Sequence, residues 1–182
     1  MNPSSRSPRV RSLAIGTALT ASLLGAVAPT ASAAPAPAAV AATAGTTCPS
    51  ACFLAVRTAA HDTYDRLVID LGGTALPTWT EYVGDDGLSY DGGGSGEGKP
   101  VPLTGKHFLN LHFFGVDNHT TTGAGSFTGA TTQPLSLPAV KGYALLGGYE
   151  GHFSFGLALG DYSSYRVFTL TAPNRLVVDV YH

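Results

Sequence analysis

The sequence predicts an all-β protein, a single antiparallel β-sandwich of about seven to nine short strands. Three observations carry this. Past the first fifty residues the apolar positions recur with a spacing of two and are rich in β-branched and aromatic types. No convincing stretch there keeps the 3.6-residue period of a helix. Gly, Pro, Asp and Asn break the apolar runs at short intervals, and regular short strands parted by such turns build sandwiches or barrels.

The first residues are of another kind. Arg6, Arg9 and Arg11 form a positive start, residues 13–28 are apolar and uncharged, and Ala31-Ser32-Ala33 has the small residues of a cleavage site. This is the pattern of a secretory signal peptide over 1–33. Its apolar run is shorter than the ~20 residues of a spanning helix, so the mature chain is expected to have no stable membrane insertion. Ala42-Thr43-Ala44 offers a second cleavage point. Residues 34–51 begin with Ala, Pro and Thr and too few bulky apolar groups to fold, and read as a linker. The domain proper is expected over 52–182, long enough to bury roughly two thirds of its unfolded surface.

Removing 1–33 takes away three arginines and no acid, and moves the formal charge from −2 to −5. A mildly acidic chain argues against nucleic acid, which needs clustered Lys and Arg to displace counterions. It equally disfavours polyanionic wall polymers and anionic membranes, and favours neutral sugars or peptides. Cys48 and Cys52 are spaced C-x3-C at the domain edge. Secretion permits a disulfide between them if Pro49-Ser50 turns; free thiols or an intermolecular link are the alternatives. Two thiolates without a nearby His would leave a zinc tetrahedron half empty.

Strands are expected near 53–58, 65–71, 78–83, 108–114, 141–146, 151–159, 164–170 and 175–181. Two long loops lie between them. Residues 84–100 are Gly-rich and acidic, and 115–137 are rich in Thr, Gly and Ser. Loops of this length on a β scaffold either carry function or are solvated insertions.

One six-residue phrase nearly repeats: Arg66-Leu67-Val68-Ile69-Asp70-Leu71 and Arg175-Leu176-Val177-Val178-Asp179-Val180. In a strand, alternate side chains share a face. Leu67, Ile69 and Leu71 then face a core, as do Leu176, Val178 and Val180. Arg and Asp end up on the opposite face of each copy, ~13 Å apart and out of reach of each other. Antiparallel copies with Val68 opposite Val177 would bring Arg66 against Asp179 and Asp70 against Arg175, at roughly 0.2–1 kcal/mol per pair. Copies in separate sheets would make the phrase only a twice-used β pattern.

No catalytic residues are assigned. The nearest approach to a nucleophile elbow, residues 152–156, lacks its first Gly and lies in a strand, so Ser154 reads as an ordinary strand residue. His107 and His112 are five apart and point to opposite faces. His112 and His119 meet only if the intervening turn folds back. His61 with Asp62 and Asp65 is a weak cluster at a strand entrance. Asp85, Asp86, Asp91 and Glu97 match no EF-hand spacing, and a solvated loop accounts for them better than calcium. No metal and no cofactor is expected. Aromatic faces suit sugar or peptide stacking, which makes Trp79, Tyr82, Tyr90 and Tyr149 the ligand-binding candidates. Trp79 and Tyr82 lie on opposite strand faces, and Trp79 is the better core residue.

"YDRLVIDL" at 64–71 and "APNRLVVDVY" at 172–181 resemble the first and last strand signatures of the AMIN domain, and more closely those of the AMIN-like domain of secreted bacterial proteins. Residues 57–66, 95–97, 101–105 and 165–170 resemble the same pattern in the same order, so the resemblance spans about 53–181. It implies a β-sandwich of the kind that precedes N-acetylmuramoyl-L-alanine amidases and pilus secretins, where it targets the cell wall with peptidoglycan as ligand. The AMIN-like branch often stands alone. Here no catalytic domain is expected to follow and the 84–98 loop reads as enlarged, which would set the chain apart from the amidases. The expectation is a secreted, monomeric, non-enzymatic module associating with peptidoglycan or another envelope protein. The alternatives are a wall hydrolase, which needs a pocket with converging acid or His groups, and a protein-binding module that adds a strand at an open edge.

Overall fold

The computed structural model describes residues 48–91 and 98–182. The expected signal peptide, the linker as far as residue 47, and Glu97 lie outside the described residues. Among the described residues there are eleven strands: β1 Cys52–Ala60, β2 Tyr64–Gly72, β3 Thr78–Gly84, β4 Ser89–Tyr90, β5 Lys99–Pro100, β6 His107–Phe114, β7 Thr132–Pro134, β8 Val140–Tyr149, β9 His152–Leu159, β10 Ser164–Leu170 and β11 Arg175–Tyr181. They form a four-stranded sheet in the order β1-β2-β11-β10 and a five-stranded sheet in the order β3-β6-β9-β8-β7. The sheet pairings are antiparallel. The fold is therefore the expected all-β sandwich. The strands beyond the eight expected ones are two or three residues long and fall inside the two long loops.

Period-two patterning builds the core. Leu67, Ile69 and Leu71 of β2 and Leu176, Val178 and Val180 of β11 line one layer. Leu109, Leu111 and Phe113 of β6 and Phe153, Phe155, Leu157 and Leu159 of β9 line the other. Phe53 sits among them, with the rings of Phe113 and Phe153 edge-on, each 5.2 Å away. Edge-on ring pairs of this kind are worth about 0.5–1.5 kcal/mol beyond their buried area.

The copies of the repeated phrase are adjacent. β2 and β11 run antiparallel, with Val177 opposite Val68, Asp179 opposite Arg66 and Arg175 opposite Asp70. Four residues assigned to the linker belong to the folded unit. Cys48 is bridged to Cys52, and Ala51 is buried and pairs with Val116.

The two long loops do structural work. β4 and β5 make a short ribbon over the outer face of the five-stranded sheet. Leu88, Val101 and Tyr90 of that segment pack on Phe108, Ala144, Leu146 and Ala158. This second apolar cluster explains why β8 and β9 read as nearly continuous apolar runs: both their faces are covered. Gly156 is required there, because a Cβ would lie 2.6 Å from Leu88 Cδ2. The other loop closes the edge at β1. A bulge between Phe53 and Ala55 interrupts the β1 ladder. Ser126 Oγ donates to Phe53 O (2.9 Å) and Thr128 N to Leu54 O (2.9 Å), so these carbonyls are satisfied.

β8 and β9 join through a two-residue turn. Tyr149 pairs with His152, and Glu150 and Gly151 have φ of 51° and 79°. Positive φ at both central positions is the type I′ turn, which matches strand twist and favours Asn-Gly. Glu150 pays for its Cβ there, by about 1 kcal/mol. Glu150→Asn is expected to raise stability by ~0.5 kcal/mol and Glu150→Val to lower it by about 1 kcal/mol, read as shifts in the urea unfolding midpoint.

Candidate functional site

The ribbon covers only half of the outer face of the five-stranded sheet. Among the described residues the remainder is left uncovered, with Thr78, Thr80, Tyr82, Phe114, His152 and Tyr149 exposed. From β3 it carries Thr78, Thr80 and Tyr82, from β6 Asn110, His112 and Phe114, from β9 His152 and Ser154, and at the end of β8 Tyr149. Register sets them in rows: Thr78, Phe114, His152 and Tyr149 in one, and Thr80, His112 and Ser154 in the next. Tyr82 is 61% exposed, Tyr149 67% and Phe114 37%, and these are three of the five exposed large apolar side chains among the described residues.

Between the aromatics the polar groups are already organised. His112 Nδ1 and Ser154 Oγ are 3.0 Å apart, and His112 Nε2 and His152 Nδ1 are 3.3 Å apart. The Phe114 ring stands edge-on to both imidazoles, 4.9 Å from His112 and 5.2 Å from His152. The order Ser–His–His has the outline of a nucleophile, a base and an orienting group. Ser154 nevertheless lies in a strand flanked on both sides by β6 and β8. The β6 side of Ser154 is regularly paired, while β8 bulges between Leu145 and Gly147 opposite it; acyl transfer needs backbone N–H groups aimed at a developing oxyanion, and none is assigned here. The arrangement sets imidazole and hydroxyl groups beside an aromatic ring on one sheet face.

The four aromatic candidates separate. Tyr82 and Tyr149 are on the bare face. Trp79 turns the other way and packs against the core, its ring 6.5 Å from Phe113. Tyr90 is half-buried under the ribbon, with its hydroxyl 2.6 Å from Thr132 Oγ1, and does not reach the patch. Phe114, His152 and Ser154 were not legible as partners from the sequence, because only the β6–β9 register brings them together. His112 meets His152 and not His119, which lies beside Asp117 at 3.2 Å. The weak cluster at His61 dissolves: Asp65 turns into the core while His61 stacks on Tyr64. Asp85 is engaged with His107 at 2.7 Å.

The outer face of the four-stranded sheet carries the charge motif. Arg66 donates to both oxygens of Asp179, at 2.6 and 2.7 Å. Asp179 pushes the Arg66 guanidinium further above its ordinary value, chiefly through these hydrogen bonds, while burial works the other way. The second expected pair is replaced by another. Asp70 accepts from Arg57 of β1, at 2.8 and 2.7 Å, and Arg175 turns to donate to Pro173 O. The reason is local. The β1 bulge sets Ala55 opposite Asp70, and over that small side chain Arg57 reaches the carboxylate diagonally. Arg166 lies over the Phe168 ring at 4.9 Å. All four arginines among the described residues stand on this one face, although the chain as a whole is acidic.

Compared with known families, the chain matches the AMIN-like domain over residues 51–182. It belongs to the AMIN-like domain family. No curated protein matches it. Membership places this AMIN-like domain among modules of the cell envelope. No helix among the described residues is long and apolar enough to cross a membrane.

Proposed function

We propose that this AMIN-like domain is a secreted, non-enzymatic module that holds to the cell wall by binding peptidoglycan on the bare half of the five-stranded sheet. The observation that supports it is the coincidence, on one flat face, of Tyr82, Phe114 and Tyr149 with the hydrogen-bonding groups of Asn110, His112, Ser154 and His152. Glycan strands offer alternating apolar sugar faces and hydroxyl edges, and such a surface can take both. The acidic net charge does not oppose a largely uncharged glycan.

Strand addition at an open edge is the other reading, and two features weigh against it. The edge strand β3 carries Glu81 on the same side as the core-facing Trp79 and Val83, where its side chain stays exposed beside Tyr165. A charge on that side of an edge strand discourages pairing. At the start of the β1 edge, the 126–128 segment already takes the carbonyls of Phe53 and Leu54.

Residues 34–182 incubated with polymer-stripped sacculi are expected to co-sediment saturably. Tyr82→Ala and Tyr149→Ala should each weaken binding by ~5–30-fold, about 1–2 kcal/mol. Binding should also tolerate added salt, since it does not rest on ion pairs. No saturable co-sedimentation, or variants that bind like the parent, would move the search to a protein partner.

A further inference from the structure

We infer that His112 and His152 form a two-imidazole site for a tetrahedral divalent ion of the zinc class. Their facing nitrogens, Nε2 of His112 and Nδ1 of His152, are 3.3 Å apart. A metal with bonds of about 2.0–2.1 Å to nitrogen holds two ligands about 3.3–3.4 Å apart at the tetrahedral angle. A square-planar centre with similar bonds would need adjacent nitrogens at about 2.9 Å. The separation fits tetrahedral geometry, and imidazole donors suit zinc-like ions better than calcium or magnesium.

Two further features support the site. Metal-bound imidazoles engage their second nitrogen in a hydrogen bond that fixes the tautomer. Ser154 Oγ, 3.0 Å from His112 Nδ1, is placed to be that partner: in the tautomer whose Nδ1–H donates to it, the Nε2 lone pair faces His152. The frame is also preorganised. β6 and β9 are neighbouring interior strands of the five-stranded sheet, and the Phe114 ring stands against both imidazoles. The ion would find its ligands in place and pay little to order them. Among the described residues no group of three or more His, Cys, Asp or Glu is placed to hold a metal. The ion would therefore keep two positions open to water or to an oxygen of another molecule, on the side facing solvent between Tyr82 and Tyr149. The site does not depend on wall binding.

The test is calorimetric titration of the full-length protein with zinc chloride, alongside His112→Gln, His152→Gln and Ser154→Ala. All three positions are on the sheet surface, and unfolding midpoints will show that the variants fold. The expected result is one zinc per chain with Kd on the order of 10 µM. Either His→Gln change should abolish binding, and Ser154→Ala should weaken it about 10-fold. Absence of saturable binding at millimolar zinc, or binding that survives His112→Gln and His152→Gln together, would overturn the site. Zinc binding without sacculus binding would sink the wall reading alone, and the reverse outcome would sink the metal site alone.

Discussion

Asp65→Ala is expected to lower the stability of the domain by about 3–5 kcal/mol, the largest effect of any single substitution discussed for this fold. Asp65 has no solvent exposure. It lies on the core-facing side of β2, in line with Leu67 and Ile69. Its Oδ2 accepts from the backbone N–H groups of Ala139 and Val140, at 2.6 and 2.8 Å. Ala139 immediately precedes β8 and Val140 opens it, so one carboxylate oxygen fastens the four-stranded sheet to the five-stranded sheet. Removing it orphans two buried donors, each costing about 1–3 kcal/mol, and leaves a small void as well. Asp65→Asn separates the acceptor from the charge. Its amide oxygen can take the same two N–H bonds, so the loss should be less than half that of the Ala variant. Urea unfolding of both variants checks this. Equal losses would mean that the charge, and its approach to His182 Nε2 at 3.7 Å, matters more than the two backbone bonds.

Asp65 also marks where sequence reading stops. It read only as part of a weak cluster with His61 and Asp62, and nothing local says which backbone it would serve, because Ala139 and Val140 are more than seventy residues away. The strands were legible because period-two patterning is a property of each segment alone. The pairing of the repeated phrase was also legible, since only one antiparallel register sets opposite charges across from each other. The choice of Arg57 over Arg175 for Asp70 was not, because it depends on a one-residue bulge in β1. β4, β5 and β7 are too short to show a period. In the candidate site, Tyr82 could be read from its alternation with Trp79, whereas His152 and Phe114 become neighbours only through the register of two strands. Net charge was the least informative quantity. It summed over a surface on which the four arginines among the described residues are gathered on one face.

That gathering leads to an asymmetry at the Arg66–Asp179 pair. Arg66→Ala is expected to cost about 2–4 kcal/mol and Asp179→Ala only about 1–2 kcal/mol. The side chains differ in exposure, 35% for Arg66 and 5% for Asp179. Losing the arginine strands a carboxylate that water can hardly reach. Losing the aspartate leaves a guanidinium that is already partly solvated and still lies 5.2 Å over the Tyr64 ring, so the penalty is discounted accordingly. One route could soften the first change. Arg166 stands directly opposite Asp179 in the β10–β11 register and is held over Phe168. In Arg66→Ala it can swing across and pair with the orphaned carboxylate. The double variant Arg66→Ala/Arg166→Ala closes that route and should reach the upper end of the range, while Arg166→Ala alone should cost under about 1 kcal/mol. Unfolding midpoints of the four variants decide the matter. An Asp179→Ala loss equal to that of Arg66→Ala would show that burial of the carboxylate does not set the cost, and that the pair acts only through the packing of its methylene groups over Val68 and Val177.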